Sequence, residues 1–166
     1  MEGKNLFSKF DIRWGYNNIP IEPADQWKAT FKTPLGTYQL KVLTFGMKNE
    51  PAQFTRLINR VFKMWKDKWF DNREEETVAD NYMDDFAIGS KDTPKGQAGH
   101  IKCLHELFEV MEKNSFYLRL SKCCWMQSQL ELLGVILENG IMRIDPAKQE
   151  GISKWPRILK DKTDIQ

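Results

Sequence analysis

Two short runs rich in β-branched and apolar residues, Thr77-Val78-Ala79-Asp80-Asn81 and Phe86-Ala87-Ile88-Gly89-Ser90, flank Tyr82-Met83-Asp84-Asp85. This pattern predicts a tight hairpin with two adjacent carboxylates at its tip. Neighbouring aspartates repel each other and gain nothing from packing. They become useful when a hard divalent cation binds, because magnesium takes oxygen ligands. Asp is also common in plain polar turns, so the pair alone leaves both a turn and a metal site open.

The flanking elements restrict the fold around this hairpin. Leu6 to Ile12 alternates as a strand, with Phe10 and Ile12 toward the core and Asp11 on the other face near the strand's end. Residues 28–33 and 37–43 alternate around Pro34-Leu35-Gly36 and predict a second hairpin. Phe54, Leu57, Ile58, Val61, Phe62 and Trp65 recur at helical spacing. They predict a helix from about Pro51 to Lys66, its stripe facing the core. Residues 91–96 read as a turn, and a second helix runs from about His100 to Lys113. Phe116, Leu118 and Leu120 alternate as a strand. Residues 132–137 and 141–144 flank Glu138-Asn139-Gly140, the strongest short turn signal in the chain, and predict a third hairpin. Asp145-Pro146 starts a last helix, through about Lys154. Strands and helices do not alternate strictly. The predicted class is α+β, with helices on one face of a mainly antiparallel sheet, and not a doubly wound sheet.

Composition excludes several function classes. The 166 residues suffice for one domain with a real core. Three cysteines, Cys103, Cys123 and Cys124, make neither a disulfide framework nor a zinc spacing. His100 and His105 are the only histidines and do not share a helix face, so a histidine metal site is not expected and both read as surface or satisfied residues. No apolar run approaches the ~20 residues of a membrane span, and the first residues start no signal peptide. A cytoplasmic or nuclear protein with no membrane partner is expected. Net charge is +2, which neither requires nor excludes nucleic acid. The acidic run at 71–76 reads as a solvated loop.

No Gly-rich phosphate loop is present, and no local signature supports a serine or cysteine nucleophile. What remains is Asp11, Asp84 and Asp85. If the first strand lies beside the hairpin, the three converge on one end of the sheet. With no basic residue between them they would repel strongly. Two divalent ions ~4 Å apart would relieve that repulsion and suit in-line phosphoryl transfer.

Five stretches in order carry a resemblance over Leu6 to Trp155. They are Phe7-Ser8-Lys9-Phe10-Asp11-Ile12-Arg13-Trp14-Gly15-Tyr16, Phe45-Gly46-Met47-Lys48-Asn49-Glu50-Pro51-Ala52-Gln53-Phe54, Tyr82-Met83-Asp84-Asp85, Leu118-Arg119-Leu120-Ser121-Lys122-Cys123 and Leu132-Leu133-Gly134-Val135-Ile136. Together they resemble the reverse transcriptase domain in the pol polyprotein of gypsy-type long-terminal-repeat retrotransposons, such as fungal elements. The resemblance implies a polymerase palm-like sheet, part of a right-hand fold, over residues 1–156, followed by a charged tail at 157–166. It implies an RNA-directed DNA polymerase that uses two Mg2+ or Mn2+ ions. Its partners would be an RNA or DNA template with primer and deoxynucleoside triphosphates.

Roles follow by resemblance. Asp11, Asp84 and Asp85 would be metal ligands and catalytic residues, with Lys122 near the leaving pyrophosphate. Tyr16 would exclude a ribose 2′-hydroxyl, and Ile12, Phe45 and Gly46 would adjoin the incoming nucleotide. Tyr82, Met83, Leu133 and Gly134 would touch primer or template. The pattern departs from the family in four places, the first being a strand before the hairpin that is less apolar than expected, with Asp80 and Asn81 in it. Five or six residues precede the first motif where a basic fingers segment is expected. The thumb, connection and RNase H regions would follow Trp155, unless a partner chain supplies them. The acidic insert, 67–76, is long and expected near the channel. A catalytically silent palm remnant, binding nucleic acid weakly or acting in an interaction, is the alternative. An unrelated α+β interaction domain is the outside reading.

Overall fold

A computed structural model describes residues 1–153 other than 49, 71 and 73, so the expected end of the palm-like unit and the tail at 157–166 lie outside the described residues. The central sheet has four strands in the order Thr77–Tyr82, Asp85–Ser90, Leu6–Asp11, Cys124–Gln127. They are β1 (Leu6–Asp11), β4 (Thr77–Tyr82), β5 (Asp85–Ser90) and β6 (Cys124–Gln127). Strand β1 pairs antiparallel with both β5 and β6. A separate hairpin, β2 (Thr30–Thr33) and β3 (Gly36–Gln39), stands away from the core with almost every residue exposed. A third sheet is β7 (Gln129–Leu132), β8 (Val135–Glu138) and β9 (Ile141–Ile144).

The helices α1 (Glu50–Val61), α2 (Lys63–Trp69) and α3 (Pro94–Lys113) form one layer with the central sheet. The alternation in β1 explains the layering. Phe10 and Ile12 enter the main core with Phe54, Ile58, Phe62, Trp65, Trp69, Phe86 and Leu107. Phe7, on the other face, packs with Leu130 and Leu137 of the third sheet. The expected α+β architecture, helices on one face of an antiparallel sheet, is the one observed. Its last helix, α4, is Pro146–Ser153. Among the described residues no helix is long and apolar enough to cross a membrane.

Four elements differ from expectation. The helix predicted from Pro51 to Lys66 is broken at Phe62, whose φ of −96° and ψ of 5° leave the helical region. The apolar stripe continues across the break, and Phe62, Trp65 and Trp69 are all buried. Helix α3 begins before His100, at Pro94. Thr93 caps it by accepting the Gly96 N–H at 2.9 Å, so Pro and Gly mark a first turn and not a loop. No strand forms over 116–120; Leu118 makes only a bridge to Ile12, and Leu120–Lys122 is a 3-10 turn. The fourth strand is instead Cys124–Gln127.

The acidic segment is also not a free solvated loop. Lys102 donates to Glu75 at 2.7 Å, and Thr93 donates to Glu76 at 2.5 Å. Thr77 pairs with Ser90, at the end of the β4–β5 hairpin remote from its tip. The docked acids therefore stand away from the Asp84-Asp85 end, contrary to the expected channel position.

Candidate active site

The β1–β5 ladder decides where the carboxylates lie. Asp11 ends β1, Asp85 begins β5, and the two are direct partners in the register. Tyr82 pairs with Asp85, which leaves Met83-Asp84 as a two-residue turn with Met83 at φ 55°. The Asn81 amide donates to the Met83 carbonyl at 3.3 Å and braces this turn. Polar residues in β4 are tolerated because it is an edge strand. Asp80 faces Lys66 of α2, with 2.5 Å between their charged atoms.

Asp11, Asp84 and Asp85 line a single cavity of about 550 Å³ with Lys9, Lys122 and Glu131. The convergence expected from the sequence is present. The expectation of carboxylates with no base among them is not met. Lys122 Nζ lies 3.1 Å from Asp11 Oδ2, and Lys9 Nζ lies 3.4 Å from Asp85 Oδ1. Sequence reasoning missed Lys9. Its signal was the two-residue spacing to Asp11, which puts both on one face of β1. Asp84 is held above the usual carboxylate range, first by burial and then by the charges of Asp85 and Asp11; Lys122 opposes the shift.

Tyr16 follows β1 in a 3-10 turn, Gly15–Asn18. Its ring meets Phe45 edge-on at 5.0 Å and Phe54 of α1 at 4.8 Å. Burial raises the phenol's pKa, with Glu50 and then Asp84 adding to the shift. Tyr16 thus packs against both the Phe45 loop and α1. Phe45 is 82% exposed, and Gly46 needs a glycine because its φ is +99°. The Gly46 N–H donates to Glu50 Oε2 at 3.0 Å, and Glu50 is buried; this brace was also missed.

The other expected residues divide. Tyr82 and Leu133 line a second cavity of about 220 Å³ that reaches Asp85. Leu133 and Gly134 form the β7–β8 turn, with φ of 51° and 79°, so they are neither a continuous strand nor core. Met83 packs against the main core. Ile12 is only 2% exposed and offers no side chain to the cavity.

The donor chemistry fits a hard divalent cation: three carboxylates share one cavity, and oxygen ligands suit magnesium and manganese. Among the described residues no group of three His, Cys, Asp or Glu is drawn together closely enough to hold an ion. The ammonium groups of Lys9 and Lys122 account for two of the three carboxylates in this arrangement.

The family model for reverse transcriptase (RNA-dependent DNA polymerase) matches residues 1–137. The chain belongs to this family. Similar sequences include the transposon Tf2-3 polyprotein of Schizosaccharomyces pombe, 26% identical over 134 residues, covering 81% of this chain and 9% of that protein. The retrovirus-related Pol polyprotein from transposon opus of Drosophila melanogaster is 29% identical over 150 residues, covering 90% and 14%. This reverse transcriptase domain therefore spans about a tenth of the relatives it matches. Its fold is that of the foamy viral protease-reverse transcriptase solved in complex with double-stranded DNA, with a TM-score of 0.78 at 18% identity, covering 100% of this chain and 26% of that one. The same viral protein solved with an RNA/DNA hybrid gives a TM-score of 0.73 at 18% identity, covering 94% and 19%.

Proposed function

We propose that this domain carries the catalytic centre of an RNA-directed DNA polymerase, with residues 1–156 as its palm-like unit. The convergence of Asp11, Asp84 and Asp85 on one cavity of a reverse transcriptase fold carries the reading. Asp11 and Asp84, with Asp85 beside them, would hold two Mg2+ or Mn2+ ions. When bound, these ions would ease deprotonation of the primer hydroxyl and stabilise the phosphorane-like transition state and the leaving pyrophosphate.

The chain's own residues supply the rest. Lys122, 57% exposed at the cavity and paired with Asp11, would pass a proton to the departing pyrophosphate oxygen. Tyr16, wedged between Phe45 and Phe54, presents a rigid ring that excludes a 2′-hydroxyl. Phe45 and Gly46 offer an exposed ring and a bare backbone to the incoming deoxynucleotide and template base. Tyr82 and the Leu133-Gly134 turn flank the path of the primer end. Template, primer and triphosphates are the proposed ligands. Phosphate contacts supply much of nucleic-acid affinity, so fingers and thumb elements from a longer chain or a partner would complete the clamp.

One observation favours a second reading, a folded palm without activity. Two of the carboxylates are already ion-paired to lysines. Primer extension on an RNA template with magnesium or manganese separates the two. Extension that Asp84→Asn abolishes supports the polymerase. Absence of extension in a wild-type protein that melts cooperatively supports the silent palm.

A further inference from the structure

The polymerase reading leaves two charged side chains in the cavity without a role, Lys9 and Glu131, and Lys9 is the one ion-paired to a cavity aspartate. Lys9 precedes Asp11 by two residues on the same face of β1. Its partner across the ladder is Ala87, whose methyl offers no polar contact. The ammonium reaches the diagonal neighbour Asp85 instead, at 3.4 Å. Both side chains are well shielded, 23% and 30% exposed, so water and salt screen this pair less than a surface pair.

Lys9 also differs from Lys122 in the element that carries it. Lys122 ends a short 3-10 turn and is 57% exposed. Lys9 rises from the central strand, which is bonded to β5 on one side and β6 on the other. The backbone that carries Lys9 is therefore held on both sides, beside Asp11.

A lysine ammonium and a divalent cation seek the same carboxylate oxygens. We propose that Lys9 is the internal counter-cation with which a divalent ion must compete for Asp85, and that it thereby sets the metal affinity of the site. This inference rests on the reading of Asp11, Asp84 and Asp85 as divalent-cation donors.

Free Mn2+ followed by electron paramagnetic resonance during titration of the full chain gives the test, without primer, nucleotide or catalysis. Lys9→Met and Lys9→Gln should each lower the Mn2+ Kd by roughly fivefold, the factor set by a partly shielded ion pair. Lys9→Arg, which keeps the charge, should bind as wild type does. In an Asp85→Asn background the Lys9→Met gain should vanish. An unchanged or higher Kd in both neutral variants, with melting cooperative as in wild type, overturns the role of Lys9 while leaving the cation site standing. A gain that persists in Asp85→Asn overturns the competition for Asp85. Absence of Mn2+ binding in wild type and every variant overturns the cation site itself, and the role of Lys9 with it.

Discussion

The Nε2 of His100 lies 2.8 Å from Ser8 Oγ, a contact that ties α3 to the strand carrying Asp11. On the opposite side of the ring, Nδ1 lies 2.9 Å from Ser90 Oγ in β5, and Ser8 Oγ also accepts the Met126 N–H at 2.9 Å. The buried imidazole thus joins two strands of the central sheet to the helix behind them, and Ser8 extends the link to a third. Burial lowers its pKa from 6.5 to about 4. The unfolded chain binds this proton more readily than the folded one. Its contribution to stability is therefore complete above pH 6.5 and is lost as pH falls toward 4, by up to ~3 kcal/mol. Denaturant unfolding at a series of pH values should show this slope, and His100→Gln should flatten it. An equal slope in the variant would remove His100 as its source.

Asp84 works in the opposite sense. Its carboxyl is raised above 3.8 because burial and two neighbouring acids disfavour the charge. The folded state therefore holds the proton more tightly than the unfolded one, and ionisation weakens the fold as pH rises through the raised value. Asp84→Asn should melt at a higher temperature than wild type at neutral pH while losing primer extension. A lower melting temperature in the metal-free variant contradicts the repulsion described here.

Leu133 bears backbone strain. It holds φ of 51° in a two-residue turn and is 55% exposed, so its side chain gains little from burial. An L-residue in this region costs ~1–2 kcal/mol, less for Asn. Leu133→Asn would create the Asn-Gly pair that such turns favour and should stabilise the protein by ~0.5–1 kcal/mol. Thermal melting checks the gain. Loss of primer extension in the same variant would link the exposed leucine to primer contact.

Tyr16→Ala removes the ring held between Phe45 and Phe54. The expected outcome is incorporation of ribonucleotides at a much larger fraction of the deoxynucleotide rate. Single-nucleotide extension with paired ribo- and deoxynucleotides measures it. Unchanged sugar discrimination would assign Tyr16 to packing alone.

The features legible in the sequence were those with local periodicity. The stripe from Phe54 to Trp65 marked the core face even though the helix breaks at Phe62, because burial follows side-chain spacing and not helix continuity. The alternation of Phe10, Asp11 and Ile12 put the aspartate on the face away from the main core. Features that depend on register or on distant partners were hidden. The Lys9–Asp85 contact exists only because Asp11 pairs with Asp85 and not with a neighbour. Strand β6 is short and largely exposed, and it meets β1 through an irregular register, so no alternation announced it. The Leu133-Gly134 turn was concealed by a leucine in a conformation that leucine disfavours. The acids at 75 and 76 looked solvated because Lys102 and Thr93 are remote in sequence.

The order β4-β5-β1-β6 has a consequence for how the chain reaches this structure. Strand β1 is synthesised well before both of its neighbours, Asp85–Ser90 and Cys124–Gln127. Until they emerge, Phe7 and Phe10 have neither ladder nor core, and two backbone edges stand open. Closing such long loops slows folding, and an unpaired apolar strand invites association with other chains. The strand that delivers Asp11 to the cavity is therefore also the segment most in need of protection while the polypeptide is being made.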